Sequence, residues 1–405
     1  MALMMIRSSL ARINGAALAL SKSGGGLVAN QSVSPVVFTQ VATLKYTYGE
    51  KYPHYPEPFP YWEKQYNTYH MFWDHTSWRL GENSKIVTVE GSPAVGKRDF
   101  AQKLAKNFDL KYIPPVTDAD VYVKQENGVD CRIFNEILPL SACFYDQKCF
   151  SEDPHPKKTG RIALYQYYIY RAKFMRYLAA LRHVLNTGQG CVLVNSVFTD
   201  ECYMETFREL GFFKPTFPKA YRFQKDSTLP ELYKPHLVIY LDAPAPTIQE
   251  RMKARNDPVE MNNKVYTPQY FQTLEKHFKR QLDGLRRTCE VMELDWEEPA
   301  DEMEMDWISA EIQMLRLEAE DTDDPRFQDW YDRSEDEWDA LRYISGHPLK
   351  PWLWFQNNPH EMNCHEILLE GEDLAIFDRL VRQNPVYKNP RGESQLLDNP
   401  LLKFL

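Results

Sequence analysis

A chain of 405 residues with 43% hydrophobic residues and a net charge of −9 is long enough for one large α/β domain with extensions. Its seven cysteines, at 131, 143, 149, 191, 202, 289 and 364, form no Cys-x-x-Cys pair and no regular framework. That excludes a disulfide scaffold and indicates free thiols in a reducing compartment such as the mitochondrial matrix. No apolar run approaches the ~20 residues that span a bilayer, so no transmembrane segment is expected.

Residues 1–49 contain no Asp or Glu, yet carry Arg7, Arg12, Lys22 and Lys45 among Ser, Ala and small apolar residues. This is the composition of a mitochondrial transit peptide, assigned to residues 1–45. An aromatic, proline-rich arm is assigned to 46–83. There Tyr52-Pro53, Tyr55-Pro56 and Phe59-Pro60 preclude a helix and leave an extended segment held by aromatic contacts, to its own domain or to a partner.

The third unit, 84–295, opens on the stretch that organises the chain. Ile86-Val87-Thr88-Val89 reads as a buried strand, and Phe100, Leu104 and Ala105 fall at helical spacing after Lys97. Between them Gly91-x-x-x-x-Gly96-Lys97 fills seven positions of the phosphate-binding P-loop. Glycines let the backbone curl until successive N–H groups point at phosphate oxygens, at a helix N-terminus whose dipole favours anions, and the lysine reaches the outer phosphates. The eighth position, where Ser or Thr holds Mg²⁺, is Arg98, which ligates no cation. Pro93 removes a loop N–H, and Val95 places a β-branched side chain where small residues pack best.

Further along, 110–113 reads as a second strand ending at Pro114-Pro115, whereas 127–160 is turn-rich and gives no ordered pattern. Residues 162–185 form an amphipathic helix through Leu164, Tyr167, Tyr168, Phe174, Leu178 and Leu181, closed by Thr187-Gly188-Gln189-Gly190. Buried strands are expected at 191–194, 237–241 and 290–294. Strands separated by helices imply an α/β fold, a parallel sheet with helices on both faces.

This ordered set resembles the deoxyribonucleoside kinase family: the P-loop after the first strand, a Gln-bearing aromatic helix, a strand after Thr-Gly-Gln-Gly, then Tyr240-Leu241-Asp242-Ala243-Pro244 followed by Arg251-x-x-x-Arg255. The resemblance implies a P-loop kinase-like fold and a site built from Gly91, Gly96, Lys97 and Arg98, with Arg251 and Arg255 as lid arginines. It also implies that Gln166 matches the base-pairing glutamine of the nucleoside site, that Lys173 falls where an arginine usually sits, and that Asp200 matches the aspartate after Ser-x-x-Thr. Glu260 matches the lid carboxylate that contacts the sugar. The departures are as informative. Where the family places its general base, this chain has Pro114-Pro115. Its Glu-Arg-Ser motif becomes Val194-Asn195-Ser196, so Ser196 alone survives, and its third lid arginine becomes Asp257.

Phosphoryl transfer is almost entirely positioning and electrostatics by lysine, Mg²⁺ and arginine, with a base to orient the acceptor. Losing two Mg²⁺ contacts, the base and a lid arginine removes factors of ~10²–10³ each. No cofactor is therefore expected to be required, although a bound nucleotide is possible at Lys97 and the loop amides. With its leader and acidic tail the chain is also similar to the kinase-like accessory-subunit family of mitochondrial respiratory complex I. That similarity implies other complex I subunits as partners, a place on the matrix side of the inner membrane and no catalysis; the alternative is a deoxyribonucleoside kinase with weak phosphotransfer.

The last unit, 296–405, is acidic and aromatic. Between positions 293 and 339 there are 20 acidic residues against three basic ones, so this stretch carries −17 and the rest of the chain +8. Such a segment is not a nucleic-acid surface. Met305, Ile308, Ile312 and Leu315 predict an amphipathic helix within it, and Trp296, Trp307, Trp330, Tyr331 and Trp338 are expected to dock on a partner. His360 and His365 superficially suggest a zinc-protease pair, but five-residue spacing sets them about 140° apart on a helix. No metal site is expected.

Overall fold

The computed structural model describes residues 44–45, 57–67, 69–123, 128–139, 142–153, 155–261, 263–318, 324–331, 333–347, 354–355, 358–368 and 371–382. The expected transit peptide lies outside these except for Leu44 and Lys45, as do 46–56 of the arm. The centre is a five-stranded, wholly parallel sheet of β1 (Ile86–Gly91), β2 (Lys111–Ile113), β3 (Cys191–Val194), β4 (Leu237–Asp242) and β5 (Glu290–Asp295), in the order β2-β3-β1-β4-β5. The β-branched and aliphatic runs read from the sequence are these strands. Every residue of β1, β3 and β4 up to Leu241 is buried, as a parallel sheet covered on both faces requires.

Helices fill the crossovers: α1 (Lys97–Asn107), α2 (Asp118–Tyr122), α3 (Gln147–Glu152), α4 (Pro156–Thr159), α5 (Ile162–Thr187), α6 (Asp200–Glu209), α7 (Thr216–Thr228), α8 (Ala245–Arg255), α9 (Pro258–Met261) and α10 (Pro268–Leu285). After β5 come α11 (Glu302–Met314), packed on α1, and α12 (Glu335–Gly346), packed on α5. α5 runs one turn's fraction beyond its expected end and stops at Gly188, in the left-handed region at φ +78°, whose N–H closes on the Val184 carbonyl at 2.8 Å. The unordered stretch after residue 127 contains a 3₁₀ turn, Cys131–Glu136, started by Asp130, and α3, capped by Asp146.

In both flanking units some of the aromatic residues pack on the chain itself and others stay exposed. Trp296 is only 5% exposed and meets Phe100 of α1 edge-on, with ring centroids 5.1 Å apart. Trp338 of α12 is buried with Leu185 and Leu341, and the Trp330 indole lies 4.3 Å from the His236 ring while donating to the Lys234 carbonyl at 2.8 Å. These three tryptophans belong to the chain's own core. On the arm, Phe59 and Tyr66 are buried, and the Phe59 N–H donates to the Asn186 carbonyl at 3.0 Å. Trp62, Tyr69, Phe72, Trp73 and Trp78 stay exposed.

Arm and extension meet at Arg342 of α12, which is fully buried. Its guanidinium donates to Asn186 Oδ1 and Asp74 Oδ2, both at 2.8 Å, and sits 3.8 Å from the Tyr66 ring centroid. Composition records that an aromatic residue needs a surface; it does not record whose, and the C-terminal end of α5 supplies one. Even Leu44 is buried, and the Lys45 N–H donates to Asn83 Oδ1 at 2.7 Å.

Candidate functional site

Because β1 is central and parallel, its C-terminal end opens beside those of β3 and β4, the position at which an open α/β sheet holds ligands. Gly91 ends β1 at φ +142°, and a Cβ there would come within 2.7 Å of the Leu241 carbonyl oxygen, so the chain can turn only with glycine. Gly96 caps α1 from the left-handed region at φ +101°. The loop between them leads from the end of β1 directly into the first turn of α1.

At the end of this loop the lysine turns inward. Lys97 is buried, and its ammonium donates to the Gly91 and Ser92 carbonyls at 2.8 and 2.6 Å. Burial pushes its pKa down to about 7; the Glu90 carboxylate opposes that shift, while Lys173, Arg255 and Arg98 add to it. Arg98, in the Mg²⁺-ligand position, is exposed. Arg251 donates to the Val95 carbonyl at 3.0 Å and to the Trp296 and Glu297 carbonyls at 2.9 Å each, and burial holds its guanidinium below the usual value. It ties the P-loop to the segment after β5. Arg255 is paired with Glu260 at 2.8 Å, so the second lid arginine is held by the lid carboxylate.

A second cluster lies behind the loop. Asp200, at the start of α6, is 0% exposed; it accepts from Gln166 Nε2 at 2.9 Å and Tyr221 Oη at 2.7 Å, and Lys173 Nζ lies 2.8 Å from its other oxygen. Three of the residues singled out from the sequence thus meet at one point, drawn together by α5 and the N-terminus of α6. Ser196 is reached through Glu90, whose carboxylate accepts from the Ser196 N–H at 2.9 Å and the Thr199 hydroxyl at 2.6 Å. Glu90 is wholly buried, and burial raises its pKa against those bonds. Tyr203 joins the two clusters, donating to the Gly91 carbonyl at 3.2 Å while Lys173 Nζ stands 4.8 Å over its ring.

Sequence reasoning passed over Glu90, Tyr203 and Tyr221. A carboxylate inside the apolar run Val-Thr-Val-Glu-Gly was the available signal for the first, since such a group inside a central strand must find donors. The tyrosines carried none. At the general-base position β2 is followed by Pro114 and Pro115 and offers no carboxylate. Among the described residues no group of three or more His, Cys, Asp or Glu is placed to hold a metal ion. His360 and His365 are exposed beside a 3₁₀ turn, Glu361–Asn363, whose Glu361 pairs with Arg171 at 2.7 Å. To meet an anion, Lys97 would have to exchange the Gly91 and Ser92 carbonyls for its oxygens.

The family model for deoxynucleoside kinase matches residues 87–315, more than half of the chain. It runs past the boundary expected at 295, in keeping with the packing of α11 on α1. A Mus musculus protein, "NADH dehydrogenase (ubiquinone) 1 alpha subcomplex subunit 10, mitochondrial", is 32% identical over 226 residues, 55% of this chain and 61% of that protein. The chain thus matches about three-fifths of that relative's length. A Dictyostelium discoideum deoxyguanosine kinase is 22% identical over 223 residues, covering 55% of this chain and 67% of the relative. A solved structure of deoxyadenosine kinase from M. mycoides with bound dATP covers 56% of this chain and 98% of its own, at 14% identity and a TM-score of 0.39.

Proposed function

We propose, for a chain that belongs to the deoxynucleoside kinase family, the role of a non-catalytic accessory subunit of mitochondrial respiratory complex I, a kinase fold retained as a packing module. One observation carries the reading: the cations that would clamp a transferring phosphate are committed to the protein itself. Lys97 serves two loop carbonyls, Arg251 serves three, and Arg255 serves Glu260. Phosphoryl transfer needs these groups aimed at the phosphates, with Mg²⁺ and a base beside them; Arg98 and Pro115 stand in the places of the last two. The printed name of the murine relative supports mitochondria and the NADH dehydrogenase complex as the setting. Its partners are then the other subunits of complex I, on the matrix side of the inner membrane. No helix among the described residues is long and apolar enough to cross a membrane, so membrane association would come through the complex.

On this reading Gln166, Lys173, Ser196, Asp200 and Glu260 are a vestigial nucleoside site kept for packing. A nucleotide at Lys97 is an occupant and not a required cofactor. The test is incubation of the purified protein with Mg-ATP and a panel of deoxyribonucleosides, for which no phosphorylated product is expected. Turnover abolished by Lys97→Ala would overturn the proposal. It would establish instead the second reading, a weak deoxyribonucleoside kinase, which the survival of Gln166, Lys173 and Asp200 at one point favours.

A further inference from the structure

Helix α11 carries two apolar stripes. Met305, Ser309 and Ile312 form the face buried against the sheet domain, where Asn107 of α1 donates to Ser309 Oγ at 2.9 Å. Met303, Trp307, Ala310 and Met314 recur at i, i+4, i+7 and i+11, which on an α-helix places them within an arc of about 60° on the opposite side. The three large ones are 67%, 72% and 82% exposed. Among the described residues the helix buries one stripe and leaves the second exposed, and a Met-Trp-Met row is the adaptable, high-area surface that helix-binding grooves present.

The flanks are of one sign. Glu304 and Glu311 border the exposed stripe on one side, Glu302 and Asp306 on the other, and the helix contains no basic residue. We infer that α11 is a docking surface for a basic amphipathic helix of a partner protein, its apolar row seated on Met303, Trp307 and Met314 and its lysines or arginines reaching the Glu302, Glu304 and Glu311 carboxylates. Charge decides the class of occupant: an anionic lipid surface would be repelled by those carboxylates, whereas a basic helix is steered towards them. The inference rests on the accessory-subunit reading and specifies where such a subunit is gripped. A single helix contact is small against a standard interface, so it is one part of a larger one.

The test uses the full-length protein and a synthetic peptide of about 18 residues, long enough to be helical when bound, with a leucine row flanked by lysines. The lysine-flanked peptide should bind, more weakly as salt rises. Trp307→Ala should weaken it about thirtyfold without changing the melting temperature, since Trp307 packs on little of its own chain. A glutamate-flanked peptide and vesicles of phosphatidylcholine with cardiolipin should not bind. Equal binding of the glutamate-flanked peptide, capture by the vesicles, or indifference to Trp307→Ala would each overturn the assignment. In mitochondria, Trp307→Asp should lose comigration with the respiratory complex while melting as the parent does. Normal comigration of this variant would overturn the docking surface and leave the accessory role standing; failure of the unaltered protein to comigrate would overturn the accessory role itself.

Discussion

Replacing Lys97 with Met tests whether the P-loop lysine has become a buried structural group. A lysine whose pKa falls from 10.5 to about 7 on folding disfavours the folded state by about 5 kcal/mol wherever both states carry the proton. Its bonds to the Gly91 and Ser92 carbonyls act the other way, and losing each costs about 1–3 kcal/mol, so near neutrality the net change is small. The pH dependence separates the two contributions. Between pH ~7 and ~10.5 the unfolded chain holds a proton on this amine that the folded chain has released, so stability rises with pH across that window and is flat, for this group, below it. From pH 7 to 9 the parent protein should therefore gain about 2 kcal/mol relative to Lys97→Met, read from urea unfolding followed by tryptophan fluorescence. A difference that does not move over that range would show that the amine is solvated and not turned into the loop.

Asp200→Asn removes the carboxylate 2.8 Å from buried Lys173, leaving only Glu90 to oppose its charge, and should destabilise the protein by about 3 kcal/mol, seen as a lowered melting temperature; a loss under about 1 kcal/mol would mean the pair is solvated. Trp338→Ala removes a buried indole from the seam between α5 and α12 and should cost about 3–5 kcal/mol in the isolated protein, whereas unchanged melting would return this residue to the docking role first expected of it. Arg98→Thr restores the Mg²⁺-binding residue type but not the base or the Glu-Arg pair, so radiometric assay should find no phosphotransfer; measurable turnover would show that the loop alone was the obstacle.

The strands were legible because a parallel sheet writes itself as short β-branched runs, and Ile86-Val87-Thr88-Val89 and Cys191-Val192-Leu193-Val194 have no competing reading. The long helix was legible for its period and its closing glycine. The meeting of Gln166, Lys173 and Asp200 came from resemblance and not from pattern, since nothing in the spacing 166, 173, 200 announces contact. Two things were hidden for a physical reason. Whether an aromatic residue in an acidic segment covers its own domain or another chain depends on the tertiary surface it reaches, so Trp330 and Trp338 could not be told from Trp307 by composition. The beginning of the folded unit was hidden too: Leu44 packs in the core, so cutting at residue 45 removes a core contact as well as the leader.

A subunit and a kinase built on this fold would be found in different places in the mitochondrion. A native gel of detergent-solubilised mitochondria, probed for this protein and stained for NADH oxidation, separates the two. An accessory subunit should migrate with the NADH-oxidising band. A protein found only at its own mass, in a fraction that phosphorylates deoxyribonucleosides, would instead be a working kinase outside the complex.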